Sequence, residues 1–301
     1  MSQPSGEFVR VCEVGPRDGL QNEPARLELA DKIDFVNDLS ECGFPEIEVG
    51  SFVRPDRVPQ LADTLEVFNG IDRRPGITYS ALVPNLRGLD RALEAGVDKI
   101  AVFTSATEGF AEANIGCSIN RSLELFGEVV AGAAREGLPV RAYVSCVISC
   151  PYDGPTPVED VRSVCERLAA LGVDELDLGD TIGTATPEAV TRLYEGLGPD
   201  LEPSRTVLHL HDTNGEALAC AGRALDLGVR SFDAACGGLG GCPYAPGASG
   251  NLATEALARL IEERGFTSGL DRSAIRDLGQ RMRRLLGTDG GGGAEPPSSP
   301  D

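Results

Sequence analysis

Both histidines of the chain, His209 and His211, lie in one short stretch that ends in Asp212. Side chains two residues apart in an extended strand point to the same face, so both imidazoles can reach one site. Asp18 and Asn251 lie just beyond two other predicted strands and could add a carboxylate and an amide oxygen. Such a ligand set suits an open octahedral site for Mg²⁺ or Mn²⁺ better than a Zn²⁺ site. The four residues predict a divalent-metal site, although alternating histidines can also be satisfied core residues.

Two further segments carry residue types that could do chemistry. A tight Gly-Pro turn after the first predicted strand places Arg17 beside Asp18, which favours a site over a surface turn. Cys242 lies in a glycine-rich run, residues 237–251, whose glycines tolerate positive φ and close approach while Pro243 and Pro246 stiffen the chain around the thiol. This composition indicates a mobile lid that carries a reactive group.

Short β-rich runs alternate with longer amphipathic stretches, as expected of repeated βα units. The predicted strands are residues 8–14, 47–50, 78–83, 99–103, 141–146, 175–179, 207–211 and 231–235. Eight strands with intervening helices predict a (β/α)8 TIM barrel with an extra C-terminal helix, and in such a barrel chemistry lies at the carboxyl ends of the strands. A doubly wound open sheet is the alternative, but no Gly-x-Gly-x-x-Gly pattern follows the first strand.

Composition excludes several classes of partner. The chain of 301 residues has 27 Lys and Arg against 47 Asp and Glu, a formal net charge of −20, which disfavours nucleic acid and anionic membranes. Neither a membrane span nor a signal pattern is evident, so we expect a soluble, cytoplasmic protein. We assign residues 1–287 to one barrel domain and predict that residues 288–301, rich in Gly, Pro and Ser, form a disordered tail.

Several segments of the chain resemble the 3-hydroxy-3-methylglutaryl-CoA lyase family, over about residues 7 to 286. The similar segments are residues 13–23, 47–53, 178–183, 209–213 and 238–244. The Arg-Asp and His-x-His-Asp patterns are shared with a wider superfamily of metal-dependent barrel lyases and synthases, whereas the Cys242 loop is typical of the lyase branch. The resemblance implies retro-Claisen cleavage of the CoA thioester to acetoacetate and acetyl-CoA, as in leucine degradation and ketone body metabolism, by a homodimer.

The resemblance also implies roles for individual residues. The residues that would hold the cation are Asp18, His209, His211 and Asn251. The residues that would bind the acyl-CoA substrate near the barrel mouth are Gln21, Ser51, Arg141 and Tyr143. Arg17 would stabilise the thioester enolate, and Glu48 and Asp180 would orient Arg17 or relay protons. Cys242 would act as acid or proton relay once its loop closes.

Three positions depart from the family pattern near the expected acyl-CoA entrance, namely Pro24, Asp177 and Asn214. These departures do not affect the residues expected to hold the metal. They leave the acyl group of the substrate open, so the alternative is a lyase for a related branched 3-hydroxyacyl-CoA. A metal-containing barrel that only binds a ligand is the non-enzyme alternative. A condensing synthase is a further enzymatic alternative, disfavoured by the chain length and by Cys242.

Overall fold

The computed structural model describes residues 6–199, 201–240 and 250–288. Within these ranges, parallel strands form a closed barrel in which each strand pairs with its neighbours in the chain and the last pairs with the first. The barrel strands are β1 Arg10–Glu13, β2 Glu46–Ser51, β3 Thr78–Leu82, β4 Lys99–Ser105, β5 Val140–Ser145, β6 Glu175–Asp180, β7 Thr206–Leu210 and β8 Ser231–Ala234. The predicted (β/α)8 barrel is confirmed.

Helices connect the strands and form an outer ring. They are α1 Leu29–Ser40, α2 Thr64–Gly70, α3 Leu86–Glu94, α4 Glu108–Asn114, α5 Ile119–Arg135, α6 Val158–Leu171, α7 Pro187–Leu197, α8 Ala217–Asp226, α9 Thr254–Glu263 and α10 Arg272–Leu286. Local sequence sets their ends: the side chains of Asn85, Ser118 and Thr186 accept backbone N–H groups at the starts of α3, α5 and α7. Gly172, with a φ of 92°, ends α6 in the left-handed conformation.

Each barrel strand alternates apolar side chains that face the helices with mainly polar side chains that face the barrel interior. In β5, Val140, Ala142 and Val144 join the core beneath the helices, whereas Arg141 and Tyr143 do not. Burial of the outward apolar face drives the strands and helices together. The inward face is free of this requirement, so the interior can carry charged groups.

A network of charged side chains fills the barrel interior near the amino ends of the strands, and we call it the floor cluster. Its members are Arg10, Glu46, Lys99, Arg141, Glu175, Asp177 and Asp233. Arg141 lies 2.8 Å from Asp233, 3.1 Å from Glu175 and 3.3 Å from Asp177. Burial, together with the charge of Asp233, raises the pKa of Asp177 well above its ordinary value. The cluster contains three cations and four carboxyl groups, and each of them has a partner of the opposite sign, as buried charges require.

The structure also contains elements that the sequence pattern did not predict. Helices α2 and α4 have seven residues each, and a short antiparallel hairpin joins residues 149–150 to 154–155 after β5. In the part of the chain that the structure describes, no helix is long and apolar enough to cross a membrane. Helix α10 is the expected extra C-terminal helix. The predicted tail lies outside the described residues after Thr288 and stays a prediction.

Candidate metal centre and active site

Asp18, His209 and His211 come together at the carboxyl ends of β1 and β7. Asp18 lies in a single π-helical turn, Gly15–Gly19, that follows β1, and such turns are frequent at functional sites. Its Oδ2 lies 3.7 Å from His209 Nε2 and 3.5 Å from His211 Nε2. One potential ligand atom from each of these residues lies within 4.8 Å of the others. The structure therefore brings together three of the four residues that the sequence assigned to the metal.

Asn251, the fourth residue, joins this cluster from the end of the glycine-rich run. It forms a β-bridge with His211, and its Nδ2 donates to Asp18 Oδ2 at 3.0 Å and to the Leu239 carbonyl at 3.1 Å. Its Oδ1 is buried and has no hydrogen-bond partner among the described residues. An unsatisfied buried acceptor is costly, and a cation held here would use it as a ligand. The donor set, two imidazoles with carboxylate and amide oxygens, thus fits a divalent cation. We call Asp18, His209, His211 and Asn251 the metal cluster.

Hydrogen bonds on the far side of each ring orient the two imidazoles. His209 Nδ1 lies 3.1 Å from Asp233 Oδ2, and His211 Nδ1 lies 3.1 Å from the carbonyl oxygen of Asp180. Both Nε2 atoms consequently face Asp18, as expected of metal-binding histidines whose other nitrogen is held by a neighbour. Burial alone would raise the pKa of Asp18, but Arg17 and the two histidines hold it well below its ordinary value. These charges favour the ionised form of Asp18, the form in which it could hold a cation.

Arg17 lies beside Asp18 with only 6% of its surface exposed. Its Nε donates to Glu48 Oε2, its Nη1 donates to Asp18 Oδ1, and its guanidinium carbon lies 5.0 Å from the centre of the Tyr143 ring. The Tyr143 hydroxyl donates to the same Glu48 oxygen at 3.1 Å. Burial raises the pKa of Glu48, and the charge of Arg17 opposes that rise. Glu48 and Tyr143 thus fix a permanent cation next to the metal cluster.

Asp180 ends β6 and is engaged with the backbone rather than with Arg17. Its carboxylate accepts the N–H groups of Thr184 at 3.2 Å and Ala185 at 2.9 Å, and its carbonyl oxygen holds His211. Burial raises the pKa of its carboxyl group, and the two backbone donors oppose this rise. These contacts give Asp180 a positioning role for His211 and for the loop after β6.

Three other predicted residues lie at the mouth or outside the described ranges. Gln21 is half-buried and follows the Arg17 turn directly. Ser51 ends β2, where its N–H donates to Thr64 Oγ1 at 3.1 Å and its Oγ accepts the N–H of Val53. Cys242 lies outside the described residues, so its expected role stays a prediction.

The expected position of Arg141 at the barrel mouth is wrong. Arg141 is the second residue of β5 and is 1% exposed, and its guanidinium forms ion pairs with carboxylates of the floor cluster. Asp177, expected near the acyl-CoA entrance, is also fully buried in that cluster. Both side chains lie too deep to meet a substrate, because strand position determines depth in the barrel.

Glu13 is a buried acid beside the site that the sequence reasoning did not single out. Its carboxylate accepts the N–H groups of Gly15 at 2.9 Å and Cys236 at 2.7 Å, and the hydroxyl of Thr254 at 2.8 Å. Burial raises the pKa of Glu13 to about 8, against the effect of these three donors. Glu13 therefore ties the turn that carries Asp18 to the end of β8 and the start of α9. The signal was present as an acid that directly follows Val11 and Cys12 at the end of β1.

An apolar wall adjoins the metal cluster inside the barrel. Its members are Val53, Leu82, Ala101, Phe103 and Tyr143, which form a hydrophobic cluster separate from the main core. They lie on β3, β4, β5 and the segment after β2, whereas the metal cluster lies on β1, β7 and the segment after β8. The two groups meet at Tyr143, whose ring lies beside Arg17 and 6.2 Å from the centre of the His209 ring. The barrel interior thus has one mainly charged side and one mainly apolar side, which meet at Tyr143.

Comparisons with known proteins show the family to which the chain belongs. The chain is 49% identical to a 3-hydroxy-3-isohexenylglutaryl-CoA/hydroxy-methylglutaryl-CoA lyase of Pseudomonas aeruginosa over 94% of each chain. The solved HMG-CoA lyase of Brucella melitensis superposes with a TM-score of 0.92 at 47% identity, covering 93% of this chain and 99% of that one. An HMG-CoA lyase of Acinetobacter baumannii, solved with coenzyme A and 3-methylmalate, gives 0.90 at 39% identity, covering 96% and 94%. Residues 8–282 match the HMGL-like family model, and the chain therefore belongs to the HMGL-like family.

Proposed function

We propose that the protein is a lyase that cleaves 3-hydroxy-3-methylglutaryl-CoA to acetoacetate and acetyl-CoA. The observation that carries the proposal is the guanidinium of Arg17, which Glu48 holds directly beside the cluster of Asp18, His209 and His211. Relatives named as HMG-CoA lyases, one of them solved with coenzyme A, support an acyl-CoA substrate. A barrel that only bound a ligand would have no need of a buried guanidinium held beside a candidate metal site.

The reaction breaks the bond between the tertiary carbon that bears the hydroxyl group and the carbon next to the thioester. The hydroxyl loses its proton and becomes the ketone of acetoacetate, while the electron pair of the broken bond passes to the thioester as an enolate. Addition of one proton to the enolate carbon gives acetyl-CoA. Atoms and charge balance without water or an oxidant.

The residues that fit a cation are Asp18, His209, His211 and Asn251. A divalent cation bound there, for which we propose Mg²⁺ or Mn²⁺, would supply Lewis-acid stabilisation of negative charge on substrate oxygens. Asp18 also contacts Arg17, so the ligand cluster and the guanidinium are held as one unit. This arrangement fixes the substrate between them before the bond breaks.

Arg17 supplies the charge that the enolate requires. It stays protonated, and its position is set by Glu48 on one side and by the Tyr143 ring on the other. A cation held in a buried site stabilises developing negative charge without having to reorganise. We assign the proton transfer to Cys242, on the basis of its sequence context, and the positioning of His211 to Asp180.

Other parts of the proposal rest on the placement of single residues and on family likeness. Gln21 and Ser51 bind substrate, since one follows the Arg17 turn and the other ends β2 at the mouth. The enzyme works as a homodimer in the cytoplasm, and its products place it in leucine degradation and ketone body metabolism.

The apolar wall supports a second candidate substrate with a larger branch. When the hydroxyl and carboxylate of the substrate face the charged side, the alkyl branch on the tertiary carbon faces Leu82, Phe103 and Tyr143. Apolar contact favours a branch in proportion to the area it buries. A related branched 3-hydroxyacyl-CoA is therefore the alternative.

A substrate panel tests both candidates. Purified protein with Mg²⁺ or Mn²⁺ is given the methyl thioester and thioesters with longer branches, and the products are identified by mass. Acetoacetate and acetyl-CoA from the methyl thioester are expected. Absence of any product from a folded protein at millimolar metal would refute the lyase, whereas cleavage of longer branches alone would shift the proposal to the second candidate.

A further inference from the structure

The side of the His209 ring that faces away from Asp18 contacts a charged residue, Asp233, that no part of the proposed mechanism uses. Asp233 and His209 are register partners on the adjacent strands β8 and β7, so both side chains point into the barrel at the same level. Asp233 Oδ2 lies 3.1 Å from His209 Nδ1. Its other oxygen, Oδ1, accepts from Arg141 Nη1 at 2.8 Å. Asp233 therefore bridges the floor cluster and the metal cluster.

We propose that Asp233, held by Arg141, is a positioning residue that sets the tautomer of His209. A carboxylate can only accept a hydrogen bond, so it requires the imidazole proton on Nδ1. This leaves the lone pair on Nε2, the atom that faces Asp18. Arg141 contributes by occupying Oδ1 and fixing the direction in which Oδ2 points.

The same geometry specifies what an amide at this position would do. In Asp233→Asn, the amide oxygen is required by Arg141, whose guanidinium can only donate. The amide nitrogen then occupies the place of Oδ2 and donates to His209 Nδ1. His209 would carry its proton on Nε2, where a metal ligand needs a lone pair. A near-isosteric change is thus expected to reverse the tautomer instead of merely weakening a contact.

His211 provides an internal reference in the same molecule. Its Nδ1 faces the carbonyl oxygen of Asp180, which also only accepts. That contact does not involve Asp233, so the tautomer of His211 should be unchanged by Asp233→Asn. The full chain contains just these two histidines, which makes the imidazole ¹⁵N spectrum unusually simple to assign.

This inference rests on the metal site of the proposed function, but its test needs neither metal nor substrate. Imidazole ¹⁵N shifts of the metal-free protein are recorded at a pH at which both rings are neutral, with assignment from His211→Asn. Wild type is expected to show Nδ1–H on His209, and Asp233→Asn is expected to show Nε2–H on His209 with His211 unchanged. The Mn²⁺ affinity of Asp233→Asn, measured by calorimetry, should fall by about 10- to 100-fold.

Glu175→Gln is the matched control, because Glu175 is another carboxylate bound to Arg141 but makes no contact with His209 among the described residues. It should leave the His209 tautomer and the Mn²⁺ affinity unchanged. An Nε2–H tautomer in wild type would overturn the inference even if Asp233→Asn failed to fold. An equal effect in Glu175→Gln would also overturn it. Absence of lyase activity from a wild-type protein that shows the predicted tautomers would count against the proposed function alone.

Discussion

Gly279 of α10 packs directly against the backbone at the end of β8, and replacing it with alanine should destabilise the protein. A Cβ atom at this position would lie 2.7 Å from Gly237 Cα and 2.8 Å from Gly237 N. Backbone atoms cannot rotate away, so α10 would have to move outward. Overpacking of this kind costs about 3 kcal/mol at the upper end. Alanine recovers about 1 kcal/mol of helix propensity, which leaves a net loss of about 2 kcal/mol.

Gly127 gives the matched control, because it also lies inside a helix, α5, and its added Cβ would meet only Leu171 Cδ2, at 3.3 Å. Gly127→Ala should be neutral or stabilising by up to about 1 kcal/mol. For a chain of 301 residues, a loss of about 2 kcal/mol should lower the Tm of Gly279→Ala by about 3 °C in thermal unfolding.

The turn after Gly237 leads to Leu239, whose carbonyl accepts from Asn251 Nδ2. Mn²⁺ affinity should therefore also fall in Gly279→Ala and stay constant in Gly127→Ala. If Gly279→Ala were as stable as wild type, the close packing of α10 against this turn would be refuted.

Three further predictions concern charge and protons. Burial alone would raise the pKa of Glu175, but Arg141 and Lys99 lower it to about 2. Ionised Glu175 therefore stabilises the folded protein above about pH 4.5, and this stabilisation is lost as the pH falls through about 2. In urea unfolding, the advantage of wild type over Glu175→Gln should shrink across that range, and a constant difference would contradict this assignment. Arg17→Lys should lower kcat by about 10²- to 10³-fold with little change in Mn²⁺ affinity, and an effect confined to KM would argue against enolate stabilisation. Cys242→Ser should lower kcat by at least about 10²-fold with metal affinity unchanged, whereas equal turnover would remove the thiol from proton transfer.

The sequence predicted the barrel because its signals are local. Apolar alternation and the amphipathic stretches place both ends of each of the eight strands within two residues of the ends seen in the structure. The histidine pair was equally accessible, since two residues of one strand must share a face. Helices α2 and α4 were missed because seven residues give too little periodicity.

The partners of each inward side chain were not accessible in the same way. Arg141 and Tyr143 share the inward face of β5, and their places in the strand put Arg141 in the floor cluster and Tyr143 nearer the mouth, beside Arg17. Which side chains they meet at each level depends on the register between strands far apart in the chain, which no single-strand pattern records. The same register pairs Asp233 with His209, so this contact could be found only from the structure.

The floor cluster has a consequence for how the chain can be divided. Strands β1 to β4 supply Arg10, Glu46 and Lys99, while β5 to β8 supply Arg141 and the remaining acids. The partners of Lys99 and Arg141 include residues from both sets. A half-barrel fragment would separate these partners, and it could not bury the remaining ions without a severe desolvation penalty. Closure of this barrel is expected to be an all-or-none event, and its two halves to be stable only together.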